Sequence, residues 1–215
     1  MDYTALRERM VAEQLEARDI VDSRVLEAMR KVPRHLFVPP ELQHLAYHDG
    51  PLPIGHDQTI SQPYIVALMT QSLQLKGDET VLEVGTGSGY QTAVLCELCK
   101  QVYSLERDRF LASRAATRLT DLGYTNVEVY VGDGSQGLAD MAPFDAILVS
   151  AAAPSIPGPL RTQLAEGGRL VLPVGDRTSQ MLVRVRREGE SWRIEDLAPV
   201  MFVLLYGRYG FRKER

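Results

Sequence analysis

Apolar positions recur along the chain with the periods of strands and helices, and from Pro63 onward they do so regularly. Short apolar segments that read as strands are Thr80 to Val84, Val102 to Leu105, Val127 to Val131, Ala146 to Val149 and Arg169 to Pro173. Strands that alternate with helices and are apolar on both faces are typical of parallel sheets. The pattern therefore predicts an α/β fold, with a mostly parallel twisted sheet and helices on both of its faces.

Three helices are expected around the first of these strands. They run from Pro63 toward Gly77, from a glycine-rich turn to Cys99, and from about Asp108 to Leu122. Proline suits a first helical position, and glycine commonly follows a helix end, so Gly77 and Gly123 are expected to end the first and third helices.

Near the C-terminus the pattern changes. Met181, Val183 and Val185 recur at every second position, and a segment beginning at Trp192 returns after a turn at Gly189. This predicts an antiparallel hairpin at a sheet edge. Val200 to Leu205 predicts a further strand, and the basic stretch Arg208 to Arg215 is expected to lie in solvent.

The residues before Pro63 are less regular. Two helices are expected to open the chain, the first with Leu6, Met10 and Leu15 on one stripe and the second capped by Asp22 or Ser23. The proline density of residues 32–63 excludes a long helix, while their apolar content favours an ordered segment with a function. We expect one domain over residues 1–215, with N-terminal helices and a substrate and cofactor loop (1–62), a core (63–175), and C-terminal strands and tail (176–215).

Composition and charge narrow the possible partners. Lysine and arginine number 24 against 28 acidic residues, a net charge of −4, so no general basic field is present to hold a phosphate backbone. No apolar run approaches the roughly 20 residues of a membrane span. Residues 1–15 also lack the features of a secretory signal. The sequence predicts a cytoplasmic protein without nucleic-acid or membrane partners.

The most informative segment is glycine-rich and reads Val81-Leu82-Glu83-Val84-Gly85-Thr86-Gly87-Ser88-Gly89-Tyr90. A buried strand that runs through such a turn into a helix lets a ligand lie against the backbone at the helix N-terminus. The dinucleotide fingerprint requires glycine where Tyr90 stands, and the Lys-Ser or Lys-Thr of a phosphate-binding loop is missing. The turn therefore predicts a binding site for a different ligand.

Three acidic residues indicate which ligand this is. Glu106 ends the second strand, where a carboxylate can accept hydrogen bonds from ribose hydroxyls. Asp133 follows the third strand and can accept from an adenine amino group, while Glu83 adds negative charge near the turn. Each acid alone reads more simply as a solvated residue or helix cap. Together they would repel phosphates but suit an adenosine that carries a sulfonium, which is S-adenosylmethionine.

The chain closely resembles the protein-L-isoaspartate O-methyltransferases from about Arg24 to Leu205. The segments that carry the resemblance are Pro51-Leu52-Pro53-Ile54-Gly55, Gln58-Thr59-Ile60-Ser61-Gln62-Pro63, the glycine turn, Val131-Gly132-Asp133-Gly134, Ala142-Pro143-Phe144-Asp145-Ala146-Ile147 and Ser150-Ala151-Ala152-Ala153-Pro154. The glycine turn is shared by many methyltransferases, whereas the segments around Ser61 and Ser150 are more particular. Leu204 departs from the family, which commonly has proline there.

The resemblance implies a Rossmann-like methyltransferase fold whose last strands are ordered differently from most of its relatives. It implies methyl transfer from S-adenosylmethionine to the α-carboxylate of L-isoaspartyl residues in damaged proteins, with S-adenosylhomocysteine as product, by a cytosolic monomer. Ser61 is then the active-site residue. The expected cofactor-binding residues are Thr59, Ile60, Gln62, Glu83, Gly85, Thr86, Gly87, Ser88, Gly89, Glu106, Gly132, Asp133 and Gly134.

Other interpretations of these residues stay open at this point. Apart from the resemblance, Ser61 reads as a helix cap. Methylation of a small metabolite or RNA is the rival activity, and a non-catalytic peptide-binding module is the alternative of another class. Cys96 and Cys99 form a C-x-x-C that we expect to be structural rather than redox-active. His44 and His48 are four residues apart but lack a third ligand, so no metal site is expected.

Overall fold

The computed structural model describes residues 1–212. Its α-helices are α1 (Tyr3–Met10), α2 (Ser23–Lys31), α3 (Pro63–Ser72), α4 (Tyr90–Cys96), α5 (Arg109–Asp121) and α6 (Gly158–Thr162). Its strands are β1 (Leu52–Gly55), β2 (Gln58–Ile60), β3 (Thr80–Val84), β4 (Gln101–Glu106), β5 (Val127–Val131), β6 (Phe144–Val149), β7 (Leu164–Gly175), β8 (Gln180–Glu188) and β9 (Ser191–Val200). Among residues 1–212, none of the helices has the length and apolar character needed to cross a bilayer.

The main sheet has seven strands in the order β5-β4-β3-β6-β7-β8-β9. The strands from β5 to β7 are parallel, and β7, β8 and β9 pair antiparallel in chain order. The sequence prediction of a mostly parallel sheet with an antiparallel C-terminal hairpin is confirmed. The parallel order reverses direction between β3 and β6, and in open α/β sheets ligands bind at the strand carboxyl ends near such a point.

Alternate residues of the central strands supply two hydrophobic cores. Val81 on β3 and Ala146 on β6 pack on the face that also receives the N-terminal helices. Their neighbours Leu82 and Ile147 pack on the other face, against Leu160 of α6. Because both faces are covered, these strands carry apolar residues at successive positions.

Local sequence explains where several helices begin and end. Asp108 caps α5, since its carboxylate accepts from the amides of Phe110 at 2.8 Å and Leu111 at 3.1 Å. The expected extension of α3 to Gly77 is wrong: the helix ends at Ser72, and Gln74 turns the chain away with a φ of 54°. The helix after the glycine turn likewise ends at Cys96 rather than Cys99.

The proline-rich passage is ordered, as expected, but contains strands that the sequence pattern does not reveal. After two short 3₁₀ helices, β1 and β2 form an antiparallel hairpin. Its tip is His56 and Asp57, which both adopt left-handed φ angles of 55° and 56°. Two consecutive left-handed residues form the turn that matches the twist of a tight hairpin. Helix α1 continues as a π-helical turn, Val11–Glu16, and keeps Met10 and Leu15 buried.

The C-terminal segment takes a different path from the one predicted. Beyond β9, residues 201–205 do not extend the strand but cross the ends of the parallel strands, where Leu204 forms one isolated bridge with Ala152. The amide of Ala152 donates to Val203 at 2.8 Å, and that of Leu205 donates to Ala152 at 2.7 Å. The start of the expected solvent-exposed tail is also anchored, because the amide of Arg208 donates to Asp133 at 2.8 Å. Residues 213–215 of that tail lie outside the described residues.

Candidate active site

A cavity of about 620 Å³ lies over the glycine turn at the carboxyl ends of the strands. We call it the glycine-turn cavity. Its walls are the hairpin strand β2, the turn after β3, the ends of β4 and β6, and the C-terminal segment. The sequence-predicted residues on its walls are Thr59, Ile60, Ser61, Gly85, Thr86, Gly87, Ser88, Glu106 and Gly134. Its volume is typical of small-molecule sites, which span roughly 300–1,000 Å³.

The glycines of the turn allow a backbone shape that side chains would strain. Gly85 and Gly87 have φ angles of 96° and 52°, in the left-handed region that glycine enters without steric cost. Gly89 is the N-cap of α4, and any other residue at this position would place its Cβ 3.3 Å from the Ala115 Cβ. The turn therefore presents bare backbone to the cavity, as a ligand that lies against it requires.

Glu106 is the predicted acid that the structure places on the cavity wall. Its side chain ends β4 and is 6% exposed. One carboxylate oxygen accepts from the amide of Gly87 at 2.9 Å, and the other accepts from the amide of Asp108 at 2.9 Å. A carboxylate oxygen has more than one acceptor site, so both remain available to hydroxyl donors of a ligand.

Glu83 lies inside the protein rather than on the cavity wall, although it precedes the glycine turn. It is fully buried and is not among the residues that line the glycine-turn cavity. Its Oε2 accepts from the hydroxyls of Thr92 at 2.5 Å and Ser104 at 2.6 Å, while its Oε1 has no hydrogen-bond partner. Burial raises the pKa of Glu83 to about 7. Of the three carboxylates expected to rim the ligand, Glu106 lies on the cavity wall and Glu83 does not, so a direct role of Glu83 stays a prediction.

Asp133 also faces protein groups rather than this cavity. One of its oxygens accepts from the amide and hydroxyl of Ser135, at 3.0 and 2.7 Å, and the other accepts from the Arg208 amide. Asp133 and Gly132 are not on the cavity wall, whereas Gly134 is. Asp133 therefore fastens the C-terminal segment beside the cavity, and its contact with an adenine stays a prediction.

A second cavity of about 530 Å³ adjoins the first, and we call it the edge cavity. It is lined by residues 199–203, which span the end of the edge strand β9 and the segment after it, and by Pro51, Gln62 and Ile65. Residues that line both cavities are Thr59, Ser61, Ser150 and Val203. The two cavities thus share one wall, and Ser61 is part of it.

The structure does not support the interpretation of Ser61 as a helix cap. Gln62, not Ser61, occupies the N-cap position of α3, and no side chain makes a capping hydrogen bond there. The side-chain Nε2 of Gln62 instead donates to the Asp49 carboxylate at 2.8 Å, which holds the residue after Ser61 at the rim of the edge cavity. The Ser61 hydroxyl is consequently not committed to the first turn of the helix.

Sequence reasoning missed two parts of this site. Ser150 directly follows β6, so the argument that selected Glu106 at the end of β4 applies to it equally. Residues 203–206 line the glycine-turn cavity too. No sequence signal identifies them, because their position depends on the bridge between Leu204 and Ala152.

The remaining sequence candidates lie elsewhere. Cys96 and Cys99 are unpaired and buried, and burial raises the pKa of Cys99 to about 12. Both thiols are therefore protonated at neutral pH, a form that is a poor nucleophile. His44 and His48 line a separate groove beside α1. Within residues 1–212, no group of three or more metal-ligating side chains is found.

Comparison with known proteins identifies the family of the chain. The family model described as protein-L-isoaspartate(D-aspartate) O-methyltransferase matches residues 5–210. The protein-L-isoaspartate O-methyltransferase 1 of Syntrophobacter fumaroxidans is 59% identical over 211 residues, which cover 98% of this chain and 99% of that one. The corresponding enzyme of Methanoculleus marisnigri is 56% identical over 209 residues, covering 97% and 94%.

Solved structures agree with these relatives. A protein-L-isoaspartate O-methyltransferase superposes with a TM-score of 0.84 at 27% identity, covering 95% of this chain and 67% of that one. A protein from Plasmodium falciparum, named as a protein-L-isoaspartate O-methyltransferase and solved in complex with S-adenosyl-L-homocysteine, superposes with a TM-score of 0.81 at 27% identity, covering 93% and 98%. From its sequence, its fold and its cavity, this chain belongs to the protein-L-isoaspartate(D-aspartate) O-methyltransferase family.

Proposed function

We propose that the glycine-turn cavity holds S-adenosylmethionine and that the edge cavity holds an L-isoaspartyl residue whose α-carboxylate accepts the methyl group. The chain is a S-adenosylmethionine-dependent methyltransferase of the isoaspartate-repair family. Methylation of the misplaced carboxylate gives a methyl ester, and the neighbouring backbone amide nitrogen displaces methanol from it to form a succinimide. Water then reopens the succinimide in part to ordinary aspartate. The reaction thereby initiates repair of the damaged protein.

The observation that carries this proposal is the wall that the two cavities share. Thr59, Ser61 and Ser150 line both cavities. Because the two cavities adjoin at these residues, a methyl donor in one cavity and a methyl acceptor in the other would meet beside these hydroxyl side chains. Methyl transfer needs this arrangement, because the attacking oxygen and the methyl carbon must be aligned.

The cofactor assignment rests on what the glycine-turn cavity offers. Glu106 supplies a buried carboxylate that suits ribose hydroxyls, and the bare backbone at Gly85 and Gly87 suits close approach of an amino-acid portion. An adenosine gains hydrogen bonds from this carboxylate, and the positive charge of a sulfonium is attracted to it. When bound, S-adenosylmethionine supplies an electrophilic methyl group on its sulfonium.

The acceptor side needs orientation rather than a base. A carboxylate with an ordinary pKa near 4 is already ionised at neutral pH, so it attacks without a proton acceptor. In our proposal the Ser61 hydroxyl donates a hydrogen bond to this carboxylate and fixes the attacking oxygen. The apolar residues at the edge cavity, Val203 and Ile65 among them, displace water from it.

We also propose that the chain acts as a cytoplasmic monomer without nucleic acid. The net charge of −4 supports the last point, and the two unpaired cysteines suit a reducing compartment. Size-exclusion chromatography with light scattering would test the oligomeric state, and a mass of twice 24.0 kDa would contradict a monomer.

Paired peptides test the substrate assignment. The two peptides share one sequence and differ only in an aspartyl or isoaspartyl linkage, and the assay measures radiolabelled methyl groups from S-adenosylmethionine. We expect incorporation into the isoaspartyl peptide alone. Equal incorporation into both, or methylation of only small acids or RNA, would contradict the proposed substrate. Binding of the peptide without turnover would favour the non-catalytic alternative.

A further inference from the structure

Arg34 is a buried cation that the proposed reaction does not use. Its side chain is 0% exposed, and within residues 1–212 it forms no ion pair with a carboxylate. Its Nη1 also has no hydrogen-bond partner. A buried charge without a counter-ion costs free energy, and an apolar side chain of similar volume would avoid that cost. Apolar packing alone therefore does not explain why an arginine stands here.

The contacts of Arg34 connect the two sides of the site. Its Nη2 donates to the backbone carbonyl of Ser61 at 2.8 Å, and its Nε donates to the carbonyl of Ala46 at 2.7 Å. The guanidinium carbon lies 4.9 Å from the centre of the Tyr90 ring. Tyr90 begins α4 directly after the glycine turn and lines the glycine-turn cavity. One planar group thus contacts the acceptor-side loop and the donor-side helix together.

The chemistry of the group suits this connection. A guanidinium is planar, and its donors point in fixed directions, so it holds two carbonyls and an aromatic face at defined angles. Burial lowers the pKa of Arg34 to about 10, which leaves the charge in place at neutral pH. Charge-assisted hydrogen bonds of this kind are stronger than those between neutral groups.

We propose that Arg34 is a positioning residue for methyl transfer, which fixes the backbone of Ser61 relative to Tyr90 and so sets the direction of the Ser61 hydroxyl. This inference rests on the role proposed for Ser61. Arg34 acts through the carbonyl of that residue. Its loss should reduce turnover far more than it reduces binding of the cofactor.

Arg34→Met and Arg34→Lys test this, with Arg24→Met as the matched control. Arg24 also ties two carbonyls, those of Leu75 at 2.8 Å and Leu98 at 3.0 Å, but lines neither cavity. We expect Arg34→Met to lower kcat about 10- to 100-fold, since small misplacements of reacting groups cost this much. Affinity for S-adenosylhomocysteine should stay close to that of the parent. Arg34→Lys keeps the charge and should recover part of kcat, and Arg24→Met should lower only the melting temperature.

A double-mutant cycle with Ser61→Ala separates this inference from the proposed role of Ser61. If Arg34 acts through the hydroxyl of Ser61, replacement of Arg34 should cost little kcat once that hydroxyl is gone. Equal losses in both backgrounds would overturn the inference. So would Arg34→Lys and Arg34→Met proteins that melt earlier, as Arg24→Met does, but keep the parent kcat. Full activity of Ser61→Ala alone would instead contradict the role of Ser61.

Discussion

The carboxylate of Glu106 and the amide of Gly87 are joined by a hydrogen bond of 2.9 Å. The acid that ends β4 therefore also fixes the glycine turn after β3. The second oxygen of Glu106 holds the amide of Asp108, the residue that caps α5. One side chain thus organises three neighbouring pieces of the glycine-turn cavity.

Glu106→Ala should weaken binding of S-adenosylhomocysteine by about 1–3 kcal/mol, because hydrogen bonds to a charged group are lost. Isothermal titration calorimetry measures this directly. Glu128→Ala is the control, since Glu128 lies exposed on β5 and its carboxylate accepts from the Tyr130 hydroxyl at 2.7 Å, away from both cavities. Unaltered affinity in Glu106→Ala would contradict a ribose contact.

Ser61→Ala should lower kcat toward the isoaspartyl peptide about 10- to 100-fold, because the attacking carboxylate loses its orientation. Cofactor affinity should hardly change. Steady-state kinetics and calorimetry on one preparation separate the two effects. Ser72→Ala is the control: that hydroxyl bonds the Leu68 carbonyl within α3, away from both cavities. A parallel loss of cofactor affinity and kcat would argue against the proposed role of Ser61.

Glu83 should make stability depend on pH. Burial raises its pKa from the ordinary 4.5 to about 7, so the unfolded chain releases this proton at lower pH than the folded protein does. Between those values the folded state binds more protons, and the free energy of unfolding falls as pH rises. Relative to Glu83→Gln, the parent should lose about 3 kcal/mol between pH 4 and 8. Urea unfolding of both proteins at several pH values measures the difference, and a constant difference would contradict the raised pKa.

Asp133→Asn should loosen the C-terminal segment. An amide cannot replace a carboxylate that accepts from both the Ser135 and Arg208 amides, so one of these donors is left unpaired. Faster hydrogen exchange at Arg208 and Tyr209 would show this, as would weaker cofactor binding. Asp2→Asn is the control, since that carboxylate caps the exposed start of α1 and lines neither cavity. Unchanged exchange would mean that the segment is held by its other contacts.

Strand positions were predictable where a short apolar run has clear boundaries. The bounds of β3 and β5 are those expected, and α5 covers Arg109–Asp121, close to the expected span from about Asp108 to Leu122. The path of residues 200–205 was not predictable, because an apolar run has the same pattern whether it pairs with a neighbouring strand or crosses the strand ends. Its bridge to Ala152, which decides the matter, joins residues far apart in sequence. The division into one domain stays a prediction.

The candidate site was likewise predictable only in part. Position at a strand end was enough to select Glu106, but it did not distinguish its environment from that of Glu83. Glu83 lies one residue before the end of β3 and is enclosed by Thr92 and Ser104. Such an environment depends on how α4 packs on the sheet, which the local sequence does not encode. Arg34 was missed for this reason as well.

The wall contributed by residues 203–206 has a consequence for biosynthesis. The glycine turn leaves the ribosome more than one hundred residues earlier, yet a nascent chain lacks one side of the glycine-turn cavity until this late stretch has emerged. In our proposal the methyl donor binds in this cavity, so its capture cannot guide the early stages of folding during synthesis. The ligand arrives as a late stabiliser, and its concentration should affect how long the finished enzyme survives more than how readily it folds.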